Sequence, residues 1–494
     1  MVRTNDEFIY DIRVFSTIFL NRYRQLRYIV NGLVKARNRT TSKKTGGNGM
    51  NRKTLLLLMS SAFFVSACAD EGDTGTSTDE VQTIGSNAEN AEEITLWTFA
   101  PQHIDLYGDA AERWNEEFPD RPIDLIAETY PFEQMHNNLL LAVQSGTGLP
   151  DIVDIELGQY PNFMEGIIQF EPMNEYVEPI LDSVVESRYE LYARDGNYYG
   201  IPTHVGATVM YYNTDIMDEA GVDIDEIVTW DDFVEAGKQV VENTDSTMWN
   251  VGTEDWLMDM WPMISQRDSD AIDENGEVIF NNEENVDTLQ FLYDALYEDE
   301  IAELTPGGMN QSEEFYGYFL DEGSAAILAP LWYMGRFVDN MPDLEGKIAI
   351  RPMPAWEEGG NRSAGMGGTG TVVTQAAENV ELSKEFLAYA KMSEEGNINL
   401  WTILGFDPPR FDTWESEEVR NTDNDYYEYF GDNIFDVLLD VRDEINTLHV
   451  TTDTPNVINE YHTHVTFNVL RNRTETPQEA LDRSAEVVKS LQRK

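Results

Sequence analysis

The sequence predicts an α/β fold with a parallel sheet, arranged in two domains, and two observations carry that expectation. Between residues 94 and 156, strand-like and helix-like segments alternate as strand, helix, strand, helix, strand, a pattern that gathers the loops at the strands' carboxyl ends. The chain has 494 residues, and the roughly 400 that read as folded exceed what one core of ordinary size holds. With 41 % hydrophobic residues, 10 Trp, 23 Tyr and 22 Phe, material for burial and for stacking on a ligand is ample.

The elements follow in order. Ile94–Phe99 is a strand-like run. A helix with Leu106, Ala110, Trp114 and Phe118 on one face follows and stops at Pro119. A second strand, Ile123–Glu128, leads into a helix from Phe132 to about Ser145, closed by Gly146-Thr-Gly148. Pro150–Glu156 reads as the third strand. Thr229-Trp-Asp-Asp232 is a capping-box start for a helix with Phe233, Val234, Gly237, Val240 and Val241 on one face. Near the carboxyl end, Thr476-Pro-Gln-Glu479 opens another capped amphipathic helix carrying Leu481, Ala485, Val488 and Leu491.

The amino-terminal region has its own character. Cys68 is the only cysteine, so disulfides play no part. It follows a basic stretch (Arg52, Lys53), an apolar run from Leu55 to Val65 and the small residues Ser66-Ala67, the order of a secretory signal. Ending on a cysteine, it resembles a bacterial lipoprotein signal, in which the thiol receives diacylglycerol and becomes the first residue after cleavage. At 14 residues, Thr54–Ala67 is too short to span roughly 30 Å of hydrocarbon as a helix. A chain working outside the cytoplasm, tethered to a membrane it does not cross, is therefore expected. Residues 1–49 carry 10 Lys/Arg against 3 Asp/Glu and read as an upstream extension ahead of Met50, residues 50–67 as the signal, and residues 68–90, small, polar and acidic, as a flexible stalk.

From Cys68 onward, 21 basic residues face 88 acidic ones, a formal charge of −67. A field of that sign repels phosphate backbones and excludes nucleic acid as a partner. The acids are spread along the chain among apolar residues, as on a solvated surface suited to high salt or high pH. The nearest approach to a calcium loop, Asp268 to Gly276, puts Asp273 where the loop needs its glycine. His462 and His464 lack a nearby third ligand, so no metal or cofactor is expected. A glycoside hydrolase is the rival class. With so many acids, carboxylate pairs arise by chance and carry no signal, and no G-x-S-x-G, H-E-x-x-H or P-loop motif occurs.

Several motifs in register point further. Gly196-Asn-Tyr-Tyr-Gly-Ile-Pro-Thr-His204 continues to Tyr212-Asn-Thr-Asp215, followed by Glu219-Ala-Gly221 and Thr229-Trp-Asp-Asp-Phe233. Ser145-Gly-Thr-Gly-Leu-Pro-Asp-Ile152, Gly323-Ser-Ala-Ala-Ile-Leu-Ala-Pro-Leu-Trp332 and Thr476-Pro-Gln-Glu-Ala-Leu481 complete the set. Together, from about Ile94 to the end, they resemble the family 1 extracellular solute-binding proteins of sugar ABC importers. Asp109–Asn115, Met135–Leu139, Trp332–Arg336, Ser363–Gly370 and Trp401–Arg410 narrow the likeness to the branch that binds arabinose or arabino-oligosaccharides. The resemblance implies a two-lobed, type II periplasmic-binding-protein-like fold whose chain crosses between the lobes several times, near Pro202–Gly206, Ser363–Gly370 and Phe406–Pro409. One lobe would comprise residues 91–203 with 368–405, the other 206–363 with 410–494. It also implies a sugar ligand, ABC permease subunits as partners, a monomer, and no catalysis.

A sugar offers apolar C–H faces and a ring of hydroxyls, so a site for it needs flat aromatics beside directional hydrogen-bonding groups. By family position Trp332 is the stacking aromatic, with Tyr333 beside it; the alternative for each is a core anchor. Phe99 and Gln102 follow the first strand, whereas Trp97 within that strand reads as core. Glu156 and Gln159 follow the third strand at the edge where open α/β sheets bind ligands, or are simply solvated surface. His204 and Gly367 belong to the crossings, and Arg410 ends the third, either forking onto sugar oxygens or pairing with an acid. Trp256 and Trp261 are lid candidates.

Overall fold

Glu92–Thr98 (β2) buries every second side chain, Ile94, Leu96 and Thr98, as an inner strand with one face on the core does. The computed structural model describes residues 80–86, 88–254, 259–321, 323–446 and 449–492. Cys68, the signal-like stretch before it and Trp256 lie outside the described residues. Among those described, β2 sits inside a six-stranded sheet together with β1 (Glu80–Gly85), β3 (Ile123–Thr129), β4 (Ile152–Glu156), β5 (Gly200–Pro202) and a late strand at Thr369–Val373. The order is β1-β3-β2-β4, then the late strand, then β5. β2 runs parallel to both β3 and β4, with Leu96 opposite Ala127 and Ile152, as the alternating pattern predicts. Helix α1 (His103–Glu117) lays Leu106, Ala110 and Trp114 on the core, and α2 (Phe132–Ser145) ends on Gly146 at φ 66°, a left-handed cap that glycine adopts without cost.

Residues 80–85 depart from the expected stalk. They pair antiparallel with β3, from Glu80 opposite Thr129 to Gly85 opposite Asp124. The reason is local: Ile84 packs into the first lobe's core near Gly108, and the edge of β3 supplies backbone partners.

The second lobe is built around Thr208–Asn213 (β6), buried along its whole length and flanked antiparallel by β7 (Ala326–Pro330) and β8 (Ile348–Pro352). Both capping boxes form. Thr229 opens α3 (Trp230–Asn243), with Asp232 closing back onto its amide at 2.8 Å, and Thr476 with Glu479 opens Pro477–Leu491. The late strand of the first sheet, here β9 (Thr369–Val373), receives the chain back from the second lobe.

The crossings lie side by side and are stitched by backbone bonds. Thr203 donates to Thr369 at 3.0 Å, Met366 to Gly206 at 2.9 Å, and Val205 to Asp407 at 2.9 Å. The Asp407 carboxylate accepts the amides of Gly206 at 3.1 Å and Ala207 at 2.8 Å; burial still pushes it up to about 6. Below the sheet, buried Asp154 accepts from Thr98 (2.8 Å), Tyr107 (3.0 Å) and Thr371 (2.7 Å) and meets His103 Nδ1 at 2.9 Å. Lys391 donates to Thr371 on β9 at 2.7 Å and to Thr203 at 2.8 Å, so one satisfied polar network ties the first crossing to the first lobe.

Candidate functional site

A cleft of about 930 Å³ opens between the lobes, within the size range of sites that enclose a small organic ligand. Its first-lobe wall begins where β2 and β4 end, because side chains leaving the carboxyl edge of a parallel sheet converge on one rim. Phe99, just past β2, meets Phe132 edge-on with centroids 5.3 Å apart. Glu156, the last residue of β4, sends Oε2 to the Gly158 amide at 2.8 Å. Its own amide donates to His136 Nε2 at 3.1 Å, while His136 Nδ1 donates to the Phe132 carbonyl at 2.8 Å. That tautomer needs a neutral ring, and burial indeed lowers His136 to about 4. Although part of Glu156 reaches the cleft, burial pushes its carboxyl up to about 7 against the pull of the Gly158 and Gln159 amides.

At the hinge, His204 is 7 % exposed and lines the cleft; burial first, then the Arg188 charge, hold it well below the usual histidine value. Opposite, Trp332 is half-buried and donates Nε1 to the Met366 carbonyl at 3.4 Å. Gly367 sits at φ 64°, a left-handed turn that favours glycine, and a Cβ there would make only ordinary contact with that nitrogen at 3.4 Å, so the backbone angle rather than the space calls for glycine.

The structure thus brings Phe99, Glu156, Gln159, His204, Trp332 and Gly367 to one cleft. Three other candidates stand elsewhere. Tyr333 is fully buried, its hydroxyl donating to the Asn310 carbonyl and its ring packed edge-on against Phe337 at 5.5 Å, so it is the core anchor of the pair. Arg410 pairs with Asp412 at 2.6 Å and donates to the Met392 carbonyl at 3.1 Å, the ion-pair alternative. Gln102 is exposed ahead of α1 and does not line the cleft. Trp261, a lid candidate from the sequence, lies in the cleft wall with 2 % exposure.

Sequence reasoning missed further lining residues. Phe132 opens α2, and its place opposite Phe99 follows only from the sheet order. Arg336 stands one helical turn past Trp332, on the segment Met334–Asn340. Its i+4 spacing from Trp332 was the available signal. From the second lobe, α4 (Thr454–Glu460) and the wide π-type turns that continue it through Arg471 contribute Asn459, His462 and Thr463. Wide turns of this kind often mark functional positions. His464, by contrast, points to Glu460 at 3.2 Å. Among the described residues, no group of three potential metal ligands gathers.

Two α/β lobes hinged on adjacent crossings, with a cleft lined by aromatics and polar side chains from both, define a clamshell receptor that captures a small solute. The family of bacterial extracellular solute-binding proteins matches residues 100–396, and the chain belongs to that family. It is a substrate-binding protein rather than an enzyme. It is 60 % identical over 412 residues to the arabinooligosaccharide-binding protein of Halalkalibacterium halodurans, covering 83 % of this chain and 92 % of that protein. Against the arabinooligosaccharide-binding protein of Bacillus subtilis it is 45 % identical over 434 residues, 87 % and 97 % of the two chains. In fold it is similar to the sugar-binding protein MalE of Xanthomonas citri, with a TM-score of 0.67 at 18 % identity, 81 % of this chain and 98 % of that one.

Proposed function

We propose that the chain is the receptor of an ABC importer for arabino-oligosaccharides, held by lipid on Cys68 at the outer face of the membrane and delivering its ligand as a monomer to permease subunits. The observation that carries the ligand class is the composition of the cleft: Phe99, Phe132 and Trp332 offer flat faces, while Glu156, Gln159, Arg336 and His462 offer directional polar groups among them. The identity to two arabinooligosaccharide-binding proteins supports the particular sugar. Phe99, Glu156, Gln159, His204, Trp332 and Gly367 are the ligand contacts we assign. The lobes are taken as residues 91–203 with 368–405 and 206–363 with 410–494, closing about the crossings.

Calorimetric titration of the purified protein with arabinose, arabino-oligosaccharides of increasing length and matched xylo- and galacto-oligosaccharides tests the ligand. Tightest binding of an arabino-oligosaccharide is expected, and preference for another series overturns the assignment. Mass spectrometry of membrane-derived protein tests the anchor: a diacylated Cys68 at the amino terminus is expected, and membrane-derived protein beginning at Met1 refutes it.

A further inference from the structure

A second concavity, about 680 Å³, adjoins the main cleft and shares Gln159 and Pro455 with its rim. Like the cleft it is walled by both lobes. Gln144 on α2 and Asn162 come from the first, and Asp453 and Asn456 at the start of α4 come from the second. Helix α4 divides the two spaces: Thr454, Pro455, Ile458 and Asn459 face the cleft, while Asp453 and Asn456, three apart and so on one helical face, line the groove.

The chemistry changes across that divide. The cleft wall carries aromatic rings, whereas among the described residues no aromatic lines the groove, whose wall is dominated by amide and carboxylate side chains. Asn162 Nδ2 reaches Gln159 Oε1 at 3.3 Å and Asn456 Nδ2 reaches Asp453 Oδ1 at 3.4 Å, long bonds that leave donor and acceptor capacity for a guest. Among the described residues Glu165 and Asp453 are the charged groups on the wall and both are acidic, so an anionic guest is disfavoured there. A neutral polyhydroxylated chain meets all of these conditions.

We propose that this groove is a second binding region for the same ligand, taking the sugar units of an oligosaccharide that project from the cleft past Gln159 and Pro455. The cleft grips ring faces by stacking; the groove reads chain length by hydrogen bonds. This inference rests on the cleft being the sugar site.

The test is calorimetric titration of a graded series of arabino-oligosaccharides, from the disaccharide upward, into the wild type and into Gln144→Ala/Asn456→Ala. Gln144 is exposed and Asn456 only partly buried, so folding should survive; Asn162→Ala provides an independent probe on the first lobe. Wild-type affinity is expected to climb with length and then level off. The double variant should bind the shortest ligands within about twofold of wild type and the longest roughly tenfold more weakly, the loss of two hydrogen bonds. Equal affinity of variant and wild type for every length, or wild-type affinity that never rises beyond the disaccharide, overturns the groove. Failure of every arabino-oligosaccharide to bind the wild type overturns instead the sugar assignment of the cleft, and the same comparison is then read with whichever oligosaccharide series binds.

Discussion

Replacing Glu156 with Gln separates the cost of the buried carboxyl from everything else about this acidic molecule. The carboxyl sits at the end of β4, accepts the Gly158 amide at 2.8 Å, and is raised by burial from 4.5 to about 7. A folded-state value above the unfolded one means that the native state binds the proton more tightly. The group therefore destabilises the fold fully above about pH 7, and that penalty fades as the pH falls towards 4.5. The rise corresponds to roughly 3 kcal/mol, trimmed to roughly 2 kcal/mol because the side chain is partly open to the cleft. Gln keeps an oxygen for the Gly158 amide and carries no charge at any pH. Urea unfolding followed by tryptophan fluorescence should show Glu156→Gln roughly 2 kcal/mol more stable than wild type at about pH 8.5, with the advantage shrinking steadily to near zero by about pH 4.5. All other acids titrate alike in both proteins and cancel in the difference. A stability difference that stays constant across this range would mean the carboxyl titrates at its ordinary value, and the electrostatic account of the cleft floor would fail.

Other outcomes follow from the same geometry. Trp332→Ala should weaken ligand binding by roughly 2 kcal/mol or more, about thirtyfold, in calorimetric titration, the loss of a central aromatic anchor. Tyr333→Phe, one residue on, should leave affinity unchanged but lower stability by roughly 1 to 2 kcal/mol, because the buried Asn310 carbonyl loses its donor. Melting temperature should rise from about 10 mM to 1 M NaCl, most steeply at the low end, as the Debye length falls from ~30 to ~3 Å; a flat or falling profile would mean the acids are locally compensated.

What the sequence determined by itself is whatever short-range rules govern. The capping boxes at Thr229 and Thr476 are visible because a hydroxyl reaches an amide only three residues on, and both form. The parallel strands β2, β3 and β4 are visible because apolar alternation broken by helical periodicity leaves few other topologies. The edge strand at Glu80–Gly85 escaped because six residues with modest alternation become a strand only when a neighbour offers an open edge. Trp332 and Tyr333 mark the limit most plainly. Adjacent aromatics in one short turn project to different sides, and no local signal says which side holds the cleft and which the core; the placement of β7 against β6 decides it. Phe99, Arg336 and His462 lie more than a hundred residues apart in sequence and line one cleft only after both lobes have folded. Local chemistry therefore wrote the elements, while the composition of the cleft was decided by long-range packing, where the free energy of burying an aromatic face depends on partners the neighbouring sequence does not name.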